Sequence, residues 1–231
     1  MKNSKGIIID IDNTIYNYDY CHQFALNTIF DDINIKYTIP RDILEMQYEQ
    51  SKININKYLK YTASSHNKLL QIQKLLEILN IFNVNYLNQL SNLYYNNFFK
   101  NMKVEEGFID FLKINSKKKI LFLTDMTIDI QLKKLITLNI LSSNILIVTS
   151  EEFGKEKPSL LLYYYAISKL NLLPSEICTI GDNYKKDILP SLNLNITAYW
   201  YNKYNTIETN LTNNNINCII FNNYKQLNSF F

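Results

Sequence analysis

The sequence predicts an α/β protein with a doubly wound parallel sheet and an inserted all-α subdomain. From Val104 onward, short apolar runs alternate with helical patterns, and this repetition is typical of a parallel sheet with helices on both faces. The apolar run Gly6–Ile9 has the same character, so we expect it to be the first strand of that sheet. Between Tyr20 and Met102 the pattern is helical, without a convincing buried strand.

The later strands are predicted from apolar runs that suit a sheet covered on both faces. These runs are Ile120–Leu123, Ile145–Val148, Ile177–Ile180, Ile196–Tyr199 and Cys218–Phe221. Helical patterns separate them, from Ile128 to Leu138 and from Ser159 to Leu170. Pro158 favours a start of the second helix, because proline suits the first helical turn.

Residues 18–102 are predicted to form the helical insert, and residues 1–17 with 103–231 the α/β core. Pro40 and Arg41 open one helical pattern within the insert. Apolar residues then recur at helical spacing, at Leu69, Ile72, Leu76 and Leu79 and again at Val84, Leu87, Leu90, Tyr94 and Phe98. A structureless connection of this length would be unusual in a compact domain. We interpret the aromatic side chains of the insert as helix packing.

The composition excludes several classes of protein. The formal net charge is +3, from 24 basic and 21 acidic residues, and the lysines are scattered along the chain. We therefore expect neither a nucleic-acid-binding nor a membrane-binding surface, both of which need clustered positive charge. The three cysteines are widely spaced and match no zinc pattern, which favours a reduced intracellular setting. Without a signal-peptide or bilayer-spanning pattern, a cytoplasmic location is predicted.

Polar residues follow four of the predicted strands. They are Asp10-Ile11-Asp12-Asn13-Thr14, then Thr124-Asp125, then Lys157 just before Pro158, and finally Gly181-Asp182 with Asp187 beyond. Each piece alone has a structural explanation, since Asp, Asn and Thr are ordinary turn residues. Together they lie at the carboxyl ends of parallel strands, where α/β sheets bind ligands, and so they predict a functional site.

In this order the motifs resemble those of the haloacid dehalogenase-like hydrolase superfamily. Asp10 to Thr14 match its DxDxT signature, with Asn13 where glycine is commoner. Thr124 matches its strand-end hydroxyl residue, Lys157 its lysine before a helix, and Gly181-Asp182 with Asp187 its GDxxxxD motif. The resemblance extends to about Tyr199 and implies a Rossmann-like core. The helical insert is similar to the family's helical cap in position only.

The resemblance implies a phosphoryl-transfer site that uses Mg²⁺. Asp10 would be the nucleophile and would form an aspartyl-phosphate. Asp12 would protonate the leaving oxygen and then activate the water that hydrolyses this intermediate. Asp10, Asp182 and the backbone carbonyl of Asp12 would bind Mg²⁺, which prefers oxygen ligands.

Other residues of the motifs are implied to bind the phosphate group. These are Asn13, Thr124, Asp125 and Lys157. Thr124 would donate a hydrogen bond to a phosphoryl oxygen, and the positive charge of Lys157 would offset that of Asp10 and the phosphate. Asp187 would lie outside the direct ligands and orient water or Lys157.

A carboxylate at position 12 favours phosphate esters over halides as substrates. The dehalogenase branch lacks a carboxylate there, because a halide leaving group needs no proton. We therefore expect a Mg²⁺-dependent phosphatase of the branch with a helical cap, acting on a small phosphorylated metabolite such as a nucleoside monophosphate or a sugar phosphate. The run from Asp12 to Tyr16 is similar to that of some pyrimidine 5′-nucleotidases.

Two alternatives remain open at this point, a phosphomutase on the same scaffold and a non-catalytic binding protein. The mutase would return the phosphoryl group to a substrate instead of passing it to water. The binding protein would be expected to lack Asp10, Asp12 or Lys157, all of which are present. Tyr16, Tyr18 and Asp19 are candidate substrate contacts at the entrance of the cap, with packing as the favoured explanation for each.

Overall fold

The computed structural model describes residues 4–141, 144–203 and 217–227. This part of the chain divides into two compact units. Residues 1–17 with 103–231 make up the α/β unit, and residues 18–102 make up the helical unit. Every helix in the described ranges is too short or too polar to span a lipid bilayer.

The described residues of the α/β unit form a six-stranded sheet in which all neighbouring strands run parallel. The strands are β1 Gly6–Ile9, β2 Lys119–Thr124, β3 Ile145–Thr149, β4 Ile177–Gly181, β5 Thr197–Tyr201 and β6 Cys218–Phe221. Their order across the sheet is β3-β2-β1-β4-β5-β6. The predicted α/β class with a parallel sheet is therefore confirmed.

Helices connect these strands and build the helical unit. In the helical unit they are α1 Tyr18–Tyr37, α2 Arg41–Leu59, α3 Lys68–Ile78 and α4 Val84–Lys100, with a 3₁₀ turn at Ala63–His66. In the α/β unit they are α5 Phe108–Ile114, α6 Ile128–Thr137, α7 Ser150–Phe153, α8 Leu160–Leu170, α9 Leu189–Asn193 and α10 Tyr224–Leu227, with a 3₁₀ turn at Pro174–Glu176 and a π-helical turn at Tyr184–Ile188.

The centre of the sheet is buried on both faces because β1, β2 and β4 consist mostly of apolar residues. Side chains alternate between the faces along a strand, so Ile8 packs with Leu121 and Leu162 of α8 in one cluster. Elsewhere in the α/β unit, the ring of Phe108 in α5 lies 4.9 Å from that of Tyr224 in α10. Burial of such side chains is worth about 1.5–3 kcal/mol each, which fixes the sheet as a rigid base for its loops.

The strand order brings the motif-bearing strand ends together. β1 is central, and Ile9, its last residue, pairs with Phe122 of β2 and with Ile180 of β4. The backbone N–H of Asp10 continues this ladder by donating to the carbonyl oxygen of Ile180 at 3.0 Å. Residues that follow β1, β2 and β4 therefore share one edge of the sheet.

In the helical unit, asparagines cap two of the helices and a hydrogen-bonding contact joins two of them. Asn67 and Asn83 cap α3 and α4, each accepting a hydrogen bond from a backbone N–H of the first turn. His22 Nδ1 lies 2.7 Å from the hydroxyl oxygen of Tyr94, which joins α1 to α4. Burial lowers the pKa of His22 to about 3, so the imidazole is neutral near pH 7.

Candidate active site

The ammonium group of Lys157 lies between two buried carboxylates. Its Nζ is 2.5 Å from Asp10 Oδ1 and 2.7 Å from Asp187 Oδ1, and all three side chains are less than a tenth exposed. Burial alone would lower the pKa of Lys157, but the charges of Asp10 and Asp187 hold it well above its usual value. The ammonium therefore remains charged, and it links the end of β1 to the segment after β4.

Thr14 joins Asp10 to Asp182. Its hydroxyl accepts a hydrogen bond from the backbone N–H of Asp182 at 3.1 Å and donates to Asp10 Oδ2 at 2.9 Å. The same oxygen lies 3.3 Å from Asp182 Oδ1. Thr14, the last residue of the DxDxT sequence, therefore links the segment after β1 to the segment after β4.

An irregular helical turn carries Asp187 back toward β4. Asn183 caps the π-helical turn Tyr184–Ile188, and Pro190, which has no N–H to donate, lies at the start of α9 directly after it. Asp187 Oδ2 then accepts from the backbone N–H of Asn183 at 3.0 Å. Gly181 has no side chain that would obstruct this return, since a Cβ there would lie 2.4 Å from Asp187 Cβ.

Three carboxylates form a site that suits a divalent cation. Asp10, Asp182 and Asp187 each offer an oxygen within 4.8 Å of the others. Burial raises the pKa of Asp10, and it raises that of Asp182 to about 7, with Asp187 adding to both effects. Among the described residues Lys157 is the cation that pairs with them, so the three carboxylates have an excess of two negative charges when ionised. An oxygen-only donor set with this excess fits Mg²⁺.

Asp12 is held by a separate group of side chains. Lys134 Nζ lies 2.6 Å from Asp12 Oδ1 and 2.8 Å from Oδ2. The hydroxyl of Tyr16 donates to Oδ1 at 2.5 Å, and Gln131 Nε2 lies 3.3 Å from Oδ2. Burial alone would raise the pKa of Asp12, but Lys134, Tyr16 and Gln131 together hold it below its ordinary value. The carboxylate is therefore anionic and fixed in one orientation.

Asp125 and Thr124 complete the edge at the end of β2. Asp125 Oδ1 accepts from the backbone N–H of Lys157 at 3.0 Å, and Oδ2 pairs with Lys186 Nζ at 2.8 Å. The hydroxyl oxygen of Thr124 accepts from Gln131 Nε2 at 2.8 Å. Because Lys186 balances its charge, Asp125 does not repel an anion as strongly as an unpaired carboxylate would.

The predicted site residues converge from four chain segments, and two asparagines of the α/β unit have left-handed backbone conformations. Asp10, Lys157, Asp182 and Asp187 are connected by the contacts described above. Asn13 has φ +61° and Asn195 φ +57°, left-handed values that asparagine tolerates better than most residues. The proposed contact of Asn13 with phosphate stays a prediction.

Four residues of this site were not predicted as part of it. Lys134, Gln131 and Lys186 lie outside the motifs, and Tyr16 was expected at most as a substrate contact. Tyr16 is instead fully buried, with its hydroxyl on Asp12. Lys134 could have been found from its spacing, because it lies four residues from both Ile130 and Leu138 on the buried stripe of the α6 segment.

Comparison with known proteins identifies the family. A family model of haloacid dehalogenase-like hydrolases matches residues 7–201. A ribulose-1,5-bisphosphate 5-phosphatase of Halopiger xanaduensis is 25% identical over 187 residues, which are 79% of this chain and 78% of the relative.

Solved structures show the same fold. A phosphatase of this family from Thermococcus onnurineus has a TM-score of 0.73 at 17% identity, covering 98% of this chain and 97% of that one. The Bacillus subtilis protein YfnB, in a structure bound to magnesium, has a TM-score of 0.71 at 17% identity, covering 99% and 98%. With a family model that spans most of its length, the chain belongs to the haloacid dehalogenase-like hydrolases.

Proposed function

We propose that this protein is a Mg²⁺-dependent phosphatase that hydrolyses a small phosphorylated metabolite through an aspartyl-phosphate. The observation that carries the proposal is the buried Lys157 ammonium between Asp10 and Asp187, beside Asp182. This arrangement supplies a carboxylate nucleophile, oxygen ligands for a cation and a fixed positive charge for a phosphate group. Phosphoryl transfer needs little else from a protein than such positioning and charge.

In the first step, an Asp10 oxygen attacks phosphorus as the bond to the leaving oxygen breaks. Asp12 is anionic without substrate, takes up a proton as the negatively charged phosphate binds beside it, and gives that proton to the leaving oxygen, so that the alcohol departs. In the second step, Asp12 takes a proton from water as the water oxygen attacks phosphorus. The bond between phosphorus and Asp10 then breaks, which restores the carboxylate and releases inorganic phosphate.

The other residues stabilise charge during both steps. Lys157 balances the charge of Asp10 and of the phosphoryl oxygens, and Thr124 donates a hydrogen bond to one of them. Mg²⁺, held by Asp10, Asp182 and the backbone carbonyl of Asp12, would withdraw charge from the phosphoryl oxygens. Asp187 orients Lys157 through the contact of 2.7 Å.

Phosphorylated sugars are the leading substrate class. The relative from Halopiger xanaduensis is a ribulose-1,5-bisphosphate 5-phosphatase, and it aligns with 79% of this chain. A proton-donating Asp12 suits the poor alkoxide leaving group of a sugar phosphate. Nucleoside monophosphates share this chemistry and are the second class to be tested.

Residues 18–102 are proposed to act as the cap of this enzyme. They form a compact helical unit of their own, inserted between Asn17 and Lys103 of the α/β unit. In such enzymes a closing element excludes water from the reacting phosphorus and selects the leaving group. We propose a cytoplasmic location, because the three cysteines are widely spaced in the sequence and match no zinc pattern, which favours a reducing compartment.

Phosphate release from a panel of sugar phosphates, sugar bisphosphates and nucleoside monophosphates tests the proposal, with Mg²⁺ and with a chelator. We expect Asp10→Asn to abolish release while leaving the fold intact, because Lys157 keeps Asp187 as an ion-pair partner. Asp110→Asn, at an acidic residue with a 70% exposed side chain, is the matched control and should retain full activity. Wild-type turnover by Asp10→Asn would contradict the mechanism. Formation of an isomer without free phosphate would instead identify a mutase.

A further inference from the structure

Two side chains of α6 reach the proposed machinery from outside the motifs. Gln131 and Lys134 are three residues apart and so lie on the same face of the helix. Gln131 is fully buried and Lys134 is 1% exposed. Both contact Asp12, and Gln131 also contacts Thr124. A buried lysine at this position is costly unless its charge is matched, and Asp12 supplies that match.

Lys134 holds both carboxylate oxygens of Asp12. Its distances to Oδ1 and Oδ2 are 2.6 and 2.8 Å, so a single ammonium group bridges them. The Tyr16 hydroxyl adds a contact to Oδ1, and Gln131 adds one to Oδ2. With donors on both oxygens, rotation about the side-chain bonds of Asp12 would break several hydrogen bonds at once. The direction of its carboxylate is therefore set by α6.

Gln131 directs the hydroxyl of Thr124 as well. Its Nε2 donates to Thr124 Oγ1 at 2.8 Å and to the backbone carbonyl of Asp125 at 2.7 Å. A hydroxyl oxygen that accepts from Gln131 must turn its own hydrogen to another acceptor. In this structure the oxygen lies 3.2 Å from the Asp125 carbonyl, a long contact that a phosphoryl oxygen can replace.

We propose that Lys134 and Gln131 are positioning residues, which aim the proton-transferring carboxylate of Asp12 and the phosphate-binding hydroxyl of Thr124. This inference rests on the proposed phosphatase function. Lys134 acts through Asp12, so its loss should slow proton transfer to the leaving group and leave phosphate binding intact. Gln131 acts on both residues, so its loss should also weaken phosphate binding.

Leaving groups of different basicity separate this role from a merely structural one. p-Nitrophenolate departs without a proton, whereas an alkoxide needs one. We expect Lys134→Met to lower kcat for an alkyl phosphate by about 100-fold, within the range of general acid catalysis, and to lower it less than about tenfold for p-nitrophenyl phosphate. KM and the Mg²⁺ concentration for half-maximal rate should be unchanged.

The chain provides a matched control on the same helix. Lys133 directly precedes Lys134, but its side chain is 61% exposed and lies 3.9 Å from Asp129. Lys133→Met should therefore behave as the wild type with both substrates. Gln131→Met should lower kcat for the alkyl phosphate and raise KM for both substrates.

If Lys134→Met does not fold, a double variant compared with Asp12→Asn provides the test. Asp12→Asn with Lys134→Met removes both charges together, so no buried charge is left alone. If Lys134 acts through Asp12, the kcat of the double variant for the alkyl phosphate should match that of Asp12→Asn within about threefold. The reason is that the free-energy losses of the two single variants are then not additive.

Two results would overturn the inference. They are equal losses of kcat for the two substrates in Lys134→Met, or losses that multiply in the double variant. A wild-type protein that releases phosphate from neither substrate would instead overturn the proposed function, and this inference with it.

Discussion

Gly181 offers a direct test of how the site is assembled. A Cβ at this position would lie 2.4 Å from Asp187 Cβ and 2.6 Å from its Cγ. Carbon atoms pack at about 3.5–4.0 Å, so Gly181→Ala requires Asp187 to move by roughly 1 Å or more. That movement stretches the contact of 2.7 Å between Asp187 and Lys157 and the hydrogen bond of 3.0 Å from the Asn183 N–H.

Two effects of different kinds should follow from Gly181→Ala. Overpacking a buried position lowers the free energy of unfolding by about 1–3 kcal/mol. A displacement of about 1 Å near the reacting groups can cost on the order of 100-fold in rate. We therefore expect a lower midpoint in urea unfolding together with a kcat about 100-fold below that of the wild type.

Gly6→Ala is the matched control for this prediction. Gly6 also lies in a buried strand, but the Cβ would meet Leu172 Cδ1 at 2.6 Å. That atom is the end of a flexible side chain, so it can move aside at a cost of about 1 kcal/mol or less. Urea unfolding and phosphate release should show Gly6→Ala close to the wild type in both. Equal unfolding midpoints and equal kcat values in Gly6→Ala and Gly181→Ala would refute the proposed role of the space beside Gly181.

Three further predictions concern charge. Saturating Mg²⁺ should stabilise the protein by about 2.7 kcal/mol at 100 times its Kd, and thermal melts should show most of this gain lost in Asp182→Asn but kept in Asp110→Asn. Lys157→Met should lower the unfolding free energy by about 3–5 kcal/mol in urea, since it strands two buried carboxylates; an unchanged midpoint would contradict this. Burial, with Lys68 and Lys52, lowers the pKa of His22 to about 3, so between pH 6.5 and about pH 3 the unfolded chain binds this proton and the folded chain does not. Stability should therefore fall by up to about 1.4 kcal/mol per pH unit on acidification, and His22→Gln should flatten that slope in urea unfolding at pH 7 and pH 5.

The strands of the sheet could be predicted because each is a continuous apolar run. Their order could not, since the runs alone do not say which strands are neighbours. The helix α1 was missed as an element, although its region was expected to be helical. Its exposed positions include Tyr20, Phe24 and Ile35, at 56%, 40% and 82% exposure. Because apolar residues lie on both faces of α1, its sequence does not show the regular spacing of apolar residues by which a helix is recognised.

The motif residues of the site were predictable for a different reason. Asp10 and Asp182 directly follow strands and Thr124 ends one, and the carboxyl ends of parallel strands share one edge. Lys133 and Lys134 show what the motifs leave out. They are identical neighbours in the sequence, yet their side chains are 61% and 1% exposed. The two lysines differ in their position around the helix axis, which directs Lys133 to solvent and Lys134 to Asp12.

The way charges are paired supports different proposed roles for the two aspartates of the DxD sequence. The Asp12 carboxylate already receives donors on both oxygens, from Lys134, Tyr16 and Gln131. A cation placed on that side chain would have to displace Lys134, and burying an unpaired ammonium is costly. Asp10 shares the single ammonium of Lys157 with Asp187, and Asp182 adds further negative charge beside them. We therefore expect a divalent cation to gain most at Asp10 and Asp182, in agreement with the proposal that the Asp12 side chain transfers protons and that only its backbone carbonyl binds the ion.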